Sequence, residues 1–159
     1  MQMTWMGAPT IYYGDEAGLC GFTDPDNRRT YPWGREDHDM IAFHRDLIRL
    51  RRENEELRTG SMKYMDSDYN YLAYARFQKE GQSVILINNN DHEITKDVTV
   101  WEAGIPREGT MERLIQTTQA GYTLEPAYYP INGGKIQVTI PAFSGIILKA
   151  AQESQADKN

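Results

Sequence analysis

Tyr69-Asn70-Tyr71-Leu72-Ala73-Tyr74-Ala75-Arg76-Phe77 decides how the greater part of this chain is read. Its side chains alternate, with Tyr69, Tyr71, Ala73, Ala75 and Phe77 on one side and Asn70, Leu72, Tyr74 and Arg76 on the other, and a period of two marks a β-strand. Further along, Ser83 to Ile87 is a compact apolar run, and Ile94, Lys96, Val98 and Val100 oppose Thr95, Asp97 and Thr99. Met111 to Thr117 carries a weaker pattern. Ile136, Val138 and Ile140 alternate cleanly after the turn Asn132-Gly133-Gly134, and Gly145 to Lys149 closes the series. Short strands punctuated by Glu80-Gly81, Asn88-Asn89-Asn90 and Asn132-Gly133 predict an antiparallel sandwich. Residues 152–159 are polar and are expected to fray.

Towards the N-terminus the period changes. Met40, Phe43, His44, Leu47 and Ile48 follow the i, i+3, i+4, i+7, i+8 spacing of one helical stripe between Asp37 and Arg58. Asp37 or Asp39 can cap its start and Gly60 can close its end. The run Arg51-Arg52-Glu53-Asn54-Glu55-Glu56 places Arg and Glu at i, i+4, which predicts a solvated face. Before the helix, Gly14 to Asp39 is rich in Gly, Asp, Pro and Arg and reads as a loop of about 25 residues, a length that is uncommon unless functional or disordered. Before the loop, Met1 to Tyr13 carries no charge and ends in Pro9-Thr10-Ile11-Tyr12-Tyr13, which predicts a strand buried on both faces. One parallel strand cannot form a sheet, so its partners are expected in a missing upstream segment.

The chain has 159 residues, with 17 Lys plus Arg against 23 Asp plus Glu and a net charge of −6. A complete eight-fold βα barrel, which needs at least about 200 residues, does not fit. At 40% hydrophobic and 25% charged, the chain reads as a globular protein with no membrane-crossing run. The acidic balance, without a basic stripe, argues against nucleic acid. The single Cys20 cannot form an internal disulfide and Met1-Gln2-Met3-Thr4-Trp5 is no signal peptide, so the expected location is cytoplasmic, with an upstream leader and the nativeness of Met1 left open.

Four motifs carry a resemblance: Gly7-Ala8-Pro9-Thr10-Ile11-Tyr12-Tyr13-Gly14-Asp15-Glu16, Asp24-Pro25-Asp26-Asn27-Arg28-Arg29, Tyr31-Pro32-Trp33 and Leu50-Arg51-Arg52-Glu53-Asn54. In that order and spacing they resemble the C-terminal portion of the α-amylase family of glycoside hydrolases, nearest the neopullulanase, cyclomaltodextrinase and maltogenic-amylase branch. The closing Pro141-Ala142-Phe143-Ser144-Gly145-Ile146-Ile147-Leu148 agrees. The resemblance implies an α+β chain. Residues 1–60 would be the last strand, loop and helix of a (β/α)8 TIM barrel, 61–151 an antiparallel Greek-key β-sandwich, and 152–159 a polar tail. Thr10 to Tyr13 would be strand eight and Asp39 to Arg58 helix eight, so that the loop after Gly14 borders the sugar cleft.

The family cleaves α-glucosidic bonds with retention, using a nucleophilic Asp, a general-acid Glu and a third Asp on strands four, five and seven. All three would lie upstream, and retaining chemistry needs two carboxyl groups about 5 Å apart. The chain is therefore expected to hold no catalytic residue, to be inactive alone, and to need no cofactor or metal, with calcium in the parent left open. Its parent's partner would be an α-glucan oligosaccharide such as a maltodextrin or cyclodextrin.

The resemblance assigns sugar-hydroxyl contacts to Asp24 and Arg28, whose other reading is a loop salt bridge; the two are compatible. Tyr31 and Trp33 either stack on sugar faces or pack beneath the loop. Asp15 and Glu16 either line the cleft or terminate the strand. Turn chemistry explains Asp26. His38 and His44 are six apart, off the spacing of a zinc pair, and His44 is expected to be a hydrogen-bonded packing residue, with His92 exposed and Cys20 inert. The competing class is a non-catalytic carbohydrate-binding or structural β-domain. A third is a truncated product that self-associates through an exposed barrel strand.

Overall fold

The computed structural model describes residues 1–151, so the tail expected to fray lies outside the described residues. Among the described residues, nine strands follow two α-helices. Helix α1 (His38–Glu53) is capped by Asp37, whose carboxylate accepts from the N–H groups of Asp39 and Met40, and a short α2 (Glu55–Thr59) follows. The helix predicted as continuous breaks at Asn54, which takes an extended backbone, φ −115°, between the two.

The strands are β1 (Ser61–Asp68), β2 (Tyr71–Gln78), β3 (Gly81–Asn88), β4 (Ile94–Thr99), β5 (Gly109–Thr118), β6 (Gly121–Thr123), β7 (Tyr128–Ile131), β8 (Lys135–Ile140) and β9 (Ser144–Ala150). All pairings are antiparallel. The large sheet runs β1-β2-β3-β9-β5-β6 with β7 also on β5, and β4-β8 forms the small one. This is the expected sandwich, with β1, β6 and β7 beyond the strands that alternation revealed.

Three layers result. Val98, Ile136, Val138 and Ile140 of the small sheet pack on Tyr71, Ala73, Ala75, Leu86, Ile146 and Leu148 of the large one. On the opposite face of the large sheet, Tyr74, Ile85, Ile115 and Ile147 meet Leu50 and Leu57, with Phe43 and Leu47 of α1 against them. The two sides of β2 therefore divide as its alternation indicates, but both are buried. Covering each face with apolar surface supplies the hydrophobic stabilisation, about 25 cal/mol per Å² of apolar area removed from water.

Two expectations fail. No strand forms in residues 1–13, which run as turns and then as unpaired chain, with Ala8 to Thr10, Tyr12 and Tyr13 exposed. A strand is stable only where a neighbour supplies its ladder, and among the described residues none lies beside this segment. The charge run after Leu50 is likewise not a solvated face. Arg52, Glu53 and Glu55 are exposed, but Arg51, Asn54 and Glu56 are buried, and Glu56 is only 2% exposed.

The buried members form a polar hub under the helices. Arg51 donates to the carbonyls of Met3, Trp5, Gly7 and Leu57. Arg76 of β2 donates to those of Thr4, Leu57 and Gly60. Glu56 accepts from the Ser83 hydroxyl at 2.6 Å, and Lys149 reaches Asn54 at 2.5 Å and Glu56 at 3.8 Å. Burial, with Arg58 nearby, lowers the Arg51 pKa, and burial beside Arg51 lowers that of Arg76.

Trp101 lies under the Arg107 guanidinium, 4.3 Å from its ring centre, and against Gly134. Gly134 has φ +80°, and a Cβ there would fall 2.6 Å from Trp101 Cδ1. Gly134→Ala is expected to cost about 1–3 kcal/mol from backbone strain alone. Urea unfolding checks this, and an unchanged midpoint would show that the turn relaxes freely.

Candidate functional site

The polar loop from Gly14 to Asp37 is built by turns. Asp15–Ala17 and Asp26–Arg28 are single 3-10 turns, and the Asp37 N–H closes the loop on the Ala17 carbonyl at 3.0 Å. Gly14 takes φ +93°, which a side chain would strain, and Leu19 packs where its Cβ would stand.

The structure brings Asp24 and Arg28 together. Arg28 Nη2 lies 2.8 Å from Asp24 Oδ1 and 3.0 Å from Oδ2, on side chains about two-thirds exposed at 64% and 63%. So the loop salt bridge exists, and both groups keep free donors and acceptors facing water. An ion pair so exposed adds little stability. Next to it, Arg29 grips Asp26 in a bidentate pair at 2.6 and 2.8 Å, and this partner holds the Asp26 carboxyl below its ordinary range. Turn chemistry alone does not account for Asp26; its i, i+3 spacing to Arg29 is the signal in the sequence for this pair.

Tyr31 and Trp33 pack on one another, ring centres 4.6 Å apart and tilted by 51°. Tyr31 is half-buried while Trp33 is 79% exposed, so Tyr31 supports the loop and Trp33 presents its indole to solvent. Partial desolvation, with the charges of Glu16 and Glu36, pushes the Tyr31 hydroxyl pKa up.

Asp15 and Glu16 sit in the first 3-10 turn rather than at a strand end, and they diverge. Glu16 folds back to accept from the Gly14 N–H at 3.0 Å. Asp15 lines a cleft of about 180 Å³ together with Tyr13, Phe22, Asp26 and Arg29. Asp24 and Arg28 lie outside that cleft, so the loop does not gather all the candidates around one point.

The remaining candidates make local contacts only. His44 Nδ1 bonds the Met40 carbonyl at 2.9 Å, as expected of a packing residue, and exposed His92 pairs with Asp91. Cys20 is exposed, its thiol directed at the Gly18 carbonyl. Among the described residues no group of three or more His, Cys, Asp or Glu is placed to hold a metal, and no helix is long and apolar enough to cross a membrane.

Two packed antiparallel sheets, one of them covered on its other face by helices and preceded by a polar loop, define an antiparallel β-sandwich domain. Residues 63–151 match the model of the α-amylase C-terminal all-β domain, and the chain belongs to the α-amylase family. An amylopullulanase from Thermoanaerobacter thermohydrosulfuricus is 35% identical over 93% of this chain but only 10% of its own length. A cyclomaltodextrinase from a Bacillus species is 41% identical over 57% of this chain and 17% of its own length. Among solved structures, an acarbose-soaked debranching enzyme from Nostoc punctiforme superposes with a TM-score of 0.71 at 29% identity, over 92% of this chain and 27% of that one. The chain thus spans about a tenth of the length of the amylopullulanases it matches.

Proposed function

We propose that the chain serves as the C-terminal part of a retaining hydrolase of starch-derived α-glucans, and that it supplies sugar contacts rather than bond cleavage. Residues 1–60 would complete the last unit of a catalytic barrel, residues 61–151 would form the accessory domain that supports its final helix, and the nucleophile and acid would come from chain upstream. Next to barrel neighbours, Thr10 to Tyr13 would gain the ladder partners that they lack among the described residues.

The observation that carries the reading is the exposed Asp24–Arg28 pair at 2.8 Å, with an exposed Trp33 five residues further along the same loop. A carboxylate accepts from one sugar hydroxyl while a guanidinium donates to the next, and an indole covers an apolar sugar face. The paired charges are already oriented, so little ordering is left to binding.

Purified chain incubated with maltoheptaose or a cyclodextrin is expected to release no reducing sugar. Turnover abolished by changing Asp15, Glu16, Asp24 or Arg28 would overturn the claim that cleavage needs residues elsewhere. Maltoheptaose is expected to bind weakly and perturb Trp33 fluorescence, and Asp24→Ala or Arg28→Ala should weaken binding about three- to ten-fold. Binding that ignores both changes and maps beyond Ser61 would make the sandwich itself the sugar-binding module.

A further inference from the structure

We propose that Arg51 and Arg76 are positioning residues: they hold residues 3–7 as a strap through which the β-sandwich sets the loop bearing Asp24 and Arg28. Among the described residues the strap has no ladder partner, and its own backbone bonds are those of Thr4 and Trp5 N–H to the Met1 carbonyl. Its carbonyls instead converge on two guanidiniums. Arg51 takes Met3 at 2.9 Å, Trp5 at 3.4 Å and Gly7 at 2.7 Å, Arg76 takes Thr4 at 2.8 Å, and both meet on the Leu57 carbonyl at 2.5 and 3.1 Å. The Thr4 hydroxyl adds a 2.6 Å bond to Tyr74 of β2.

Two like charges buried side by side are unfavourable unless their donors find oxygen. The strap carbonyls do here what water does at a surface, so releasing the strap leaves two guanidiniums short of acceptors. That gives an unstructured segment a firm seat. From there the contact continues into the loop: the Gln2 side-chain amide donates to the Thr10 carbonyl, and the Tyr13 hydroxyl donates to the Arg29 carbonyl at 2.8 Å, next to Arg28. The far end of the loop is fixed independently by Asp37 on α1. Sandwich, strap and loop are thus one chain of contacts.

Hydrogen exchange on the full 159-residue chain tests the strap. In Arg51→Met, the amides of Leu19, Asp26 and Arg28 should exchange about ten-fold faster, while β3 and β9 keep their protection. Arg51→Lys, with three donors, should recover part of the loss, and Arg49→Ala, on an exposed pair of the same helix, should change nothing. Loop amides at wild-type rates in a folded Arg51→Met chain would overturn the proposal. Should β3 and β9 loosen as well, Thr4→Val decides: faster loop exchange supports the strap, and unchanged exchange overturns it.

A second arm rests on the sugar-contact reading. Maltoheptaose affinity should fall about ten-fold in folded Arg51→Met, and unchanged affinity would overturn the positioning role. A wild-type chain that fails to bind removes the sugar reading, and the exchange arm still decides the strap.

Discussion

Glu56→Ala should lower the unfolding free energy by about 3–5 kcal/mol, the cost of removing one partner from a buried charge cluster. Among the described residues Glu56 is the one buried acid, and it lies with Arg76, Ser83 and Lys149, which are neighbours across β2, β3 and β9. Its loss strands the Ser83 hydroxyl and leaves Arg51, Arg76 and Lys149 without a buried counter-charge. The backbone around it is fitted to the carboxylate: a Cβ on Gly81 would lie 2.6 Å from Glu56 Oε2. Glu55→Ala, one residue away and exposed, should stay within about 0.5 kcal/mol. Urea unfolding of both variants checks this, and equal midpoints would show that Glu56 does not balance the hub.

Arg76→Met should cost about 2–4 kcal/mol. The methionine fills much of the volume, but the carbonyls of Thr4 and Gly60 lose their donor at 2.8 and 2.9 Å, whereas Leu57 keeps Arg51. Relief of repulsion with Arg51, and of the cost of burying Arg76 at 1% exposure with Nε unpaired, returns part of that loss. The net sign separates two views of the hub. Destabilisation means that the carbonyls depend on the guanidinium, and a gain in stability would mean that the cation is held there at a cost.

Arg76 also shows where sequence reading stops. Its place on the Asn70, Leu72, Tyr74 side of an alternating strand was legible, but antiparallel sheets often leave one face wet, and nothing local says that helices cover this one. Arg51 and Asn54 continue the stripe Met40, His44, Leu47 at helical spacing, a signal hidden by the i, i+4 charge pairs that predict a solvated face. Strands β2, β3 and β8 were visible because apolar and polar residues alternate or cluster. In contrast, β1 carries Lys63, Asp66 and Asp68 on an edge with a bulge between Tyr64 and Asp66, and β7 contains Pro130, so neither displays a period. The strand expected before Gly14 depends on neighbours that local sequence does not contain. Within the loop, the Asp24–Arg28 spacing was readable, whereas the divergence of Asp15 from Glu16 depends on a 3-10 turn that the composition did not reveal.

The most direct test of the account is a titration of the 15N-labelled chain with maltoheptaose, followed at the Trp33 indole, the Arg28 side chain and the backbone amides. The account predicts saturable shifts confined to the loop between Gly14 and Asp37 and lost in Asp24→Ala with Arg28→Ala. Shifts located only after Ser61, or loop shifts that survive that double change, would contradict it.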